Sequence, residues 1–152
     1  MKQEFKNIRK LLPYSKPFLF VDTLISMSEC NAEGSYTFLK DEYFYAGHFI
    51  DNPVTPGVIL TECMAQIGLV CFGMFLLSNE SSAVKNNMPP NYKMALTNHA
   101  IDFYLPVFPG ERVRVVSEKE YFRFNKLKCK VKMLNEKNEL VCKGVMSGMI
   151  SK

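Results

Sequence analysis

From Val58 to Leu77 almost every position is apolar, and no face of a 3.6-residue period is left polar. Such a stretch predicts a helix wrapped by protein on all sides. Thr55 ahead of it is a good N-cap, and Pro56 suits the first helical position, where no N–H is needed. The polar, proline-containing residues 78–90 predict a loop that ends the helix. Elsewhere the apolar runs are shorter and β-rich. Residues 18–27, FLFVDTLISM, predict a buried strand. A turn at 31–34 and a second strand over 35–39 complete a hairpin. Residues 41–46 suit one helical turn. Residues 93–105 predict a strand ended by Pro106 and the Pro109-Gly110 turn. Residues 112–124 and 126–134 predict two more, and residues 135–138 a turn before a last strand over 139–150. Residues 4–12 suit a short amphipathic helix stopped by Pro13.

The order is a short helix, two strands, a long helix and about four strands. One fully apolar helix against sequential strands predicts an α+β chain, with a single antiparallel sheet curling around one long central helix. That is the hotdog arrangement. At 152 residues the chain is expected to be a single domain over residues 1–152.

Composition narrows this picture. Hydrophobic residues make up 47% and charged residues 22%, as in folded globular chains. The net charge of +4 permits an acidic partner without requiring one. No nucleic-acid reader motif is present, so no nucleic-acid partner is expected. Cys30, Cys63, Cys71, Cys129 and Cys142 are odd in number and lack metal-site spacing. They suit reduced thiols in a cytoplasmic protein, with no metal. The N-terminus has no secretory pattern. Residues 57–77 are long enough to span a bilayer, but Glu62 and Gln66 lie within them and no basic cluster flanks them; no membrane span is expected.

The segment GHFIDNPVTPGVILTECMAQ, residues 47–66, holds the candidate chemistry. His48 lies on a loop of small and turn-forming residues. As a neutral imidazole it would serve as a proton acceptor; otherwise it ties the loop by hydrogen bonds. Glu62 lies deep in the apolar helix among Ile59, Leu60, Cys63 and Met64. Desolvation there raises a carboxyl pKa and suits a general acid; the alternative is a solvated helix stripe. Gln66, at i+4, would orient that carboxyl or fill a polar interface. Gly57 lies in the first helical turn, where free N–H groups and the helix dipole would hold a carbonyl oxygen. Cys63 points about 100° away from Glu62 and suits core packing. His99 is read as structural or surface. Lysines at 126, 128, 130 and 132 alternate with apolar residues, as on a solvated sheet face. With Arg112, Arg114 and Arg123 they would otherwise form a docking surface for an acidic carrier.

Three segments together resemble the 3-hydroxyacyl-[acyl-carrier-protein] dehydratases of the FabZ type. LLPYSKPFLFVD is similar to the family's opening, AGHFIDNPVTPGVILTECMAQ to its active-site segment, and FYLPVFPGERV to its later Pro-Gly turn. The resemblance implies a hotdog homodimer with two active sites at the interface, the histidine of one subunit meeting the acid of the other. It places His48 at the catalytic histidine and Glu62 at the catalytic acid. Glu in place of Asp resembles the dehydratase-only branch. It also places Gly57 at the donor to the thioester carbonyl, Gln66 at the support of the acid, and the Val54 carbonyl at the partner of the histidine's other nitrogen.

The implied activity is loss of water from a (3R)-3-hydroxyacyl thioester on acyl carrier protein, giving the trans-2-enoyl thioester without a cofactor. Tyr14-Ser15-Lys16, Ile50-Asp51, and Asp102 with Tyr104-Leu105 depart from the family pattern. These changes fall at the expected tunnel mouth and carrier face, so a polyene or other specialised pathway stands beside fatty-acid synthesis. The rival readings are a hotdog thioesterase and a non-catalytic acyl-thioester-binding subunit, either a regulator or an inactive partner of a heterodimer; the dimer itself could belong to a higher oligomer or be a heterodimer.

Overall fold

The computed structural model describes residue 5 and residues 7–80 and 92–151. Six strands form one antiparallel sheet in the order β1-β2-β4-β5-β6-β3. They are β1 (Thr23–Met27), β2 (Asn31–Thr37), β3 (Lys93–Phe103), β4 (Arg112–Arg123), β5 (Lys126–Leu134) and β6 (Leu140–Ser151). The central helix runs as α2 (Gly57–Ala65), a π-helical stretch Gln66–Cys71 and α3 (Phe72–Glu80). A short helix, α1 (Ile8–Leu11), precedes the sheet. The α+β hotdog expectation therefore holds, with one sheet curled around one long helix.

The helix is seated by burial from several sides. Ile67, Leu69 and Phe72 are buried against the inward residues Val113, Val115, Leu127, Val131 and Met146. Each large apolar side chain removed from water in this way contributes roughly 1.5–3 kcal/mol. Close approach to the sheet depends on Gly68. A Cβ there would stand 3.2 Å from Ser117 Cβ and Val131 Cγ1. The Ser117 hydroxyl donates to the Gly68 carbonyl at 2.9 Å. Of the most apolar window of Gly57–Asn79, 89% is buried inside the protein, as in the core helix of a globular chain.

Several local expectations need correction. Residues 18–27 are not one buried strand. Phe20 and Val21 are fully buried, but only Thr23–Met27 pairs as a strand, and most of it is exposed. The first half of the apolar run is irregular backbone whose polar groups are met by scattered partners, among them Gln66, Arg9 and Cys63. The hairpin turn falls earlier than expected. The Ser28 hydroxyl accepts from the Cys30 and Asn31 N–H groups, and β2 has already begun at Asn31.

Thr55 is not the helix cap. Pro56 occupies the cap position with extended ψ, and the Thr55 hydroxyl is bonded to the Tyr45 hydroxyl at 2.6 Å. The helix also continues through Glu80, so residues 78–80 are not loop; residues 81–90 of the expected loop lie outside the described residues. The helical turn expected at 41–46 is a 3-10 turn, Tyr43–Ala46. Strands β3 to β6 lie within two residues of their expected bounds.

Candidate active site

Glu62 lies on the half-buried side of α2, one turn before the π-helical stretch. Gln66 is fully buried and holds the carboxyl in place. Its amide nitrogen donates to Glu62 Oε1 at 3.0 Å and to the Phe18 carbonyl at 3.0 Å. Its amide oxygen accepts the Phe20 N–H at 2.8 Å. The side-chain amide thus ties the irregular segment ahead of β1 to the central helix and orients the acid. Burial pushes the Glu62 pKa above the usual carboxylate value, and the Gln66 hydrogen bond opposes this in part.

Beside Glu62 opens a cavity of about 210 Å³ walled by Tyr14, Ala65, Leu69, Val70, Met94 and Leu96. Its wall combines the Glu62 carboxyl and the Tyr14 hydroxyl with apolar side chains. Burial, with Glu62 adding negative charge, lifts the Tyr14 hydroxyl to about 12. Tyr14 is therefore neutral beside the acid. The sequence marks Tyr14 only as a departure from the family opening and gives no sign that it lines this cavity.

His48 sits on the loop that follows Tyr43–Ala46. Its backbone carbonyl accepts the Val54 N–H at 2.9 Å, and its Nδ1 meets the Val54 carbonyl at 2.8 Å. A carbonyl can only accept, so Nδ1 carries the hydrogen and the neutral ring keeps Nε2 as its free base. The ring stacks on exposed Phe49 at 4.1 Å between centroids. Asp51 has φ of 57°, a left-handed conformation that Asp tolerates better than most residues.

Gly57 opens α2, so its N–H has no partner within the helix. Its Cα faces Phe103; a Cβ would stand 3.3 Å from that ring. Gly57, Thr55, Leu60, Phe103, Tyr104 and Leu105 line a second, open cleft of about 350 Å³. Phe103 was not singled out from sequence; a strand-end Phe gives no local sign that it will stand against a helix start.

One chain does not bring every candidate together. His48 and Glu62 share no hydrogen bond, and His48 is not among the residues walling the Glu62 cavity. Cys63 is fully buried, with its thiol pushed well up by desolvation, consistent with core packing. His99 lies exposed on β3. On β5 the apolar residues are buried while the lysines range from half-buried to exposed. Several of the nearby cations are engaged within the chain. Arg114 pairs with Glu33, Lys128 with Glu120, and Arg123 stacks on Tyr121.

The family model for the FabA-like domain matches residues 12–144. A 3-hydroxyacyl-[acyl-carrier-protein] dehydratase FabZ of Rhizobium etli is 36% identical over 131 residues, covering 84% of this chain and 77% of the relative. That of Geotalea uraniireducens is 34% identical over 121 residues, covering 79% and 78%. In fold, the chain is similar to the dehydratase heterocomplex ApeI:P of Xenorhabdus doucetiae, with a TM-score of 0.76, 12% identity, and 95% and 91% of the two chains covered. It is also similar to a hypothetical thioesterase of Streptococcus pneumoniae, with a TM-score of 0.65, 10% identity, and 97% and 96% covered. The fold is thus shared by dehydratases and thioesterases, while the sequence match is to the former: the chain belongs to the FabA-like domain family, among the 3-hydroxyacyl-[acyl-carrier-protein] dehydratases of the FabZ type.

Proposed function

We propose that this protein removes water from 3-hydroxyacyl thioesters carried on acyl carrier protein. The observation that carries the reading is the Glu62–Gln66 pair, a carboxyl of raised pKa held in the wall of a cavity. The His48 Nε2 takes the C2 proton of the substrate. The Gly57 N–H and the α2 dipole stabilise the thioester oxygen as charge builds there. Protonated Glu62 gives its proton to the departing 3-hydroxyl, which leaves as water. The proton taken by His48 then returns to Glu62 through solvent, and the double bond lies between C2 and C3. Val54 fixes the histidine tautomer, and Gln66 fixes the acid.

The site is completed by a second copy of the chain. His48 and Gly57 of one subunit act with Glu62 of its partner. That His48 neither bonds to Glu62 nor walls its cavity within one chain supports this. So does β3, the edge strand after β6, which leaves Leu96 and Phe103 more than 40% exposed. A long, exposed edge strand is a template for pairing with another chain. A Leu96→Asp change is expected to yield monomers in sedimentation and to abolish turnover. The five free cysteines, four of them buried, fit a cytoplasmic enzyme. The departures at Tyr14-Ser15-Lys16, Ile50-Asp51, Asp102 and Tyr104-Leu105 set a specialised acyl chain, of polyene type, beside a housekeeping substrate.

The test is mass spectrometry of a 3-hydroxyacyl carrier protein after incubation with the purified chain. A loss of 18 mass units, absent with Glu62→Gln, is expected. Loss of the whole acyl group would instead make the protein a thioesterase.

A further inference from the structure

The side of the central helix that carries Glu62 continues through Ala65 and Leu69 to Gly73, at helical spacing. Strand β3 runs alongside in the opposite sense. Phe103 stands against Gly57, Leu96 and Met94 wall the Glu62 cavity, and Met94 and Tyr92 reach Gly73. At Gly73 the two elements all but touch. A Cβ there would lie 2.6 Å from Met94 Cε and 2.8 Å from the Tyr92 hydroxyl oxygen. Both atoms are measured from the same point, so they are at most 2.6 + 2.8 = 5.4 Å apart. Met94, which walls the cavity, is thus also a close neighbour of the buried Tyr92 hydroxyl.

That hydroxyl is anomalous. Tyr92 is only 5% exposed, yet its oxygen has no hydrogen-bond partner among the described residues. Buried polar groups are nearly always satisfied, and an exception calls for an explanation such as a partner supplied from outside the chain. Methionine has three rotatable bonds and adapts readily to what enters beside it. A small rotation of Met94 would join the cavity to the Tyr92 hydroxyl.

We propose that the Tyr92 hydroxyl is the far-end recognition group of the acyl channel, reached past Met94, and that it selects chains whose far end carries a hydrogen-bonding oxygen. The inference rests on the dehydratase reading for the near end of the channel only. From Glu62 to Gly73 is eleven residues, at most about 16 Å at the α-helical rise of 1.5 Å per residue and somewhat less across the π-helical stretch. An extended chain advances roughly 1.3 Å per carbon with bonds of about 1.5 Å, so it needs on the order of a dozen carbons to arrive. Shorter chains end before Met94 and are indifferent to Tyr92.

The experiment compares three pantetheine thioesters of 3-hydroxy acids: a four-carbon chain, a fourteen-carbon chain ending in methyl, and the same long chain ending in a hydroxyl. Affinity is measured by calorimetry on the full chain, and dehydration by mass spectrometry. The hydroxyl-ended chain is expected to bind roughly five- to tenfold more tightly than its methyl-ended twin, the range of one added neutral hydrogen bond. Tyr92→Phe, which keeps the ring, brings that ratio to about one. Met94→Phe, which stiffens the passage, weakens both long chains.

A ratio of one in the unaltered protein, or a ratio that survives Tyr92→Phe, overturns the proposal. So does failure of both long chains to bind while the four-carbon thioester is dehydrated; the dehydratase reading then stands. A ratio that behaves as expected while no thioester loses water supports recognition by Tyr92 and overturns the dehydratase reading instead.

Discussion

The two proton-carrying groups live in opposite surroundings. His48 is on a loop, its ring stacked on an exposed Phe49 and held by one hydrogen bond, to the Val54 carbonyl. Glu62 lies in the central helix at an apolar cavity and is held by a buried amide that also closes two backbone groups. The difference fits the roles proposed for them. A base that must be unprotonated keeps access to solvent and a fixed tautomer. An acid that must hold its proton near neutral pH is kept where its charged form is poorly solvated. The two regions should therefore fail differently when altered.

The largest expected effect is at Glu62. Glu62→Gln keeps the shape and the Gln66 contact but cannot transfer a proton, and dehydration should fall by about 10²–10⁴-fold, measured as initial rate. His48→Ala should cost a similar factor. Because the loop is surface-exposed, its stability in urea titration should stay within about 0.5 kcal/mol of the parent. Gln66→Leu sharpens the contrast. It leaves the Phe20 N–H and the part-buried Phe18 carbonyl without this partner, and a stability loss of about 1–3 kcal/mol is expected, chiefly from the buried Phe20 N–H. Activity falls with it, because the acid loses its orientation.

The pH dependence is a smaller effect with a definite sign. The folded-state pKa of Glu62 is raised, so the native protein holds a proton that the unfolded chain releases. The stability linked to this group is present below the ordinary glutamate pKa and declines as pH rises through the raised value. Melting temperatures of the parent minus those of Glu62→Gln should fall across that window. A difference that grows with pH would contradict the assignment. The smallest effect is at Gly57. An alanine Cβ would press on the Phe103 ring at 3.3 Å while leaving the N–H in place. A several-fold rise in KM, with little change in melting temperature, is expected as Phe103 shifts into the cleft.

The same contrast marks how far the sequence could be read. The long helix and strands β3 to β6 were legible because their apolar periods are long and uninterrupted. The Glu62–Gln66 pair was legible because i+4 spacing on a helix is a local fact. The error over residues 18–27 has a nonlocal cause. Those residues are apolar enough to be strand, but Gln66, more than forty positions away, meets two backbone groups of the first half. Thr55 was misjudged for a similar reason, since Tyr45 claims its hydroxyl. Tyr14, Met94 and Phe103 reach the site from other elements, and no local pattern announces such contacts. The π-helical stretch Gln66–Cys71 has no sequence signature in this chain, although such stretches recur at functional sites.

The central claim is that each site draws His48 from one subunit and Glu62 from the other. It is tested by mixing two inactive variants, His48→Ala and Glu62→Gln, under conditions that exchange subunits. A two-fold interface makes half the mixed population heterodimers, each with one intact site of two, so about a quarter of the parent rate should return. A mixture that stays as inactive as its components, while identically treated parent protein remains active, would place both groups in one chain and contradict the account.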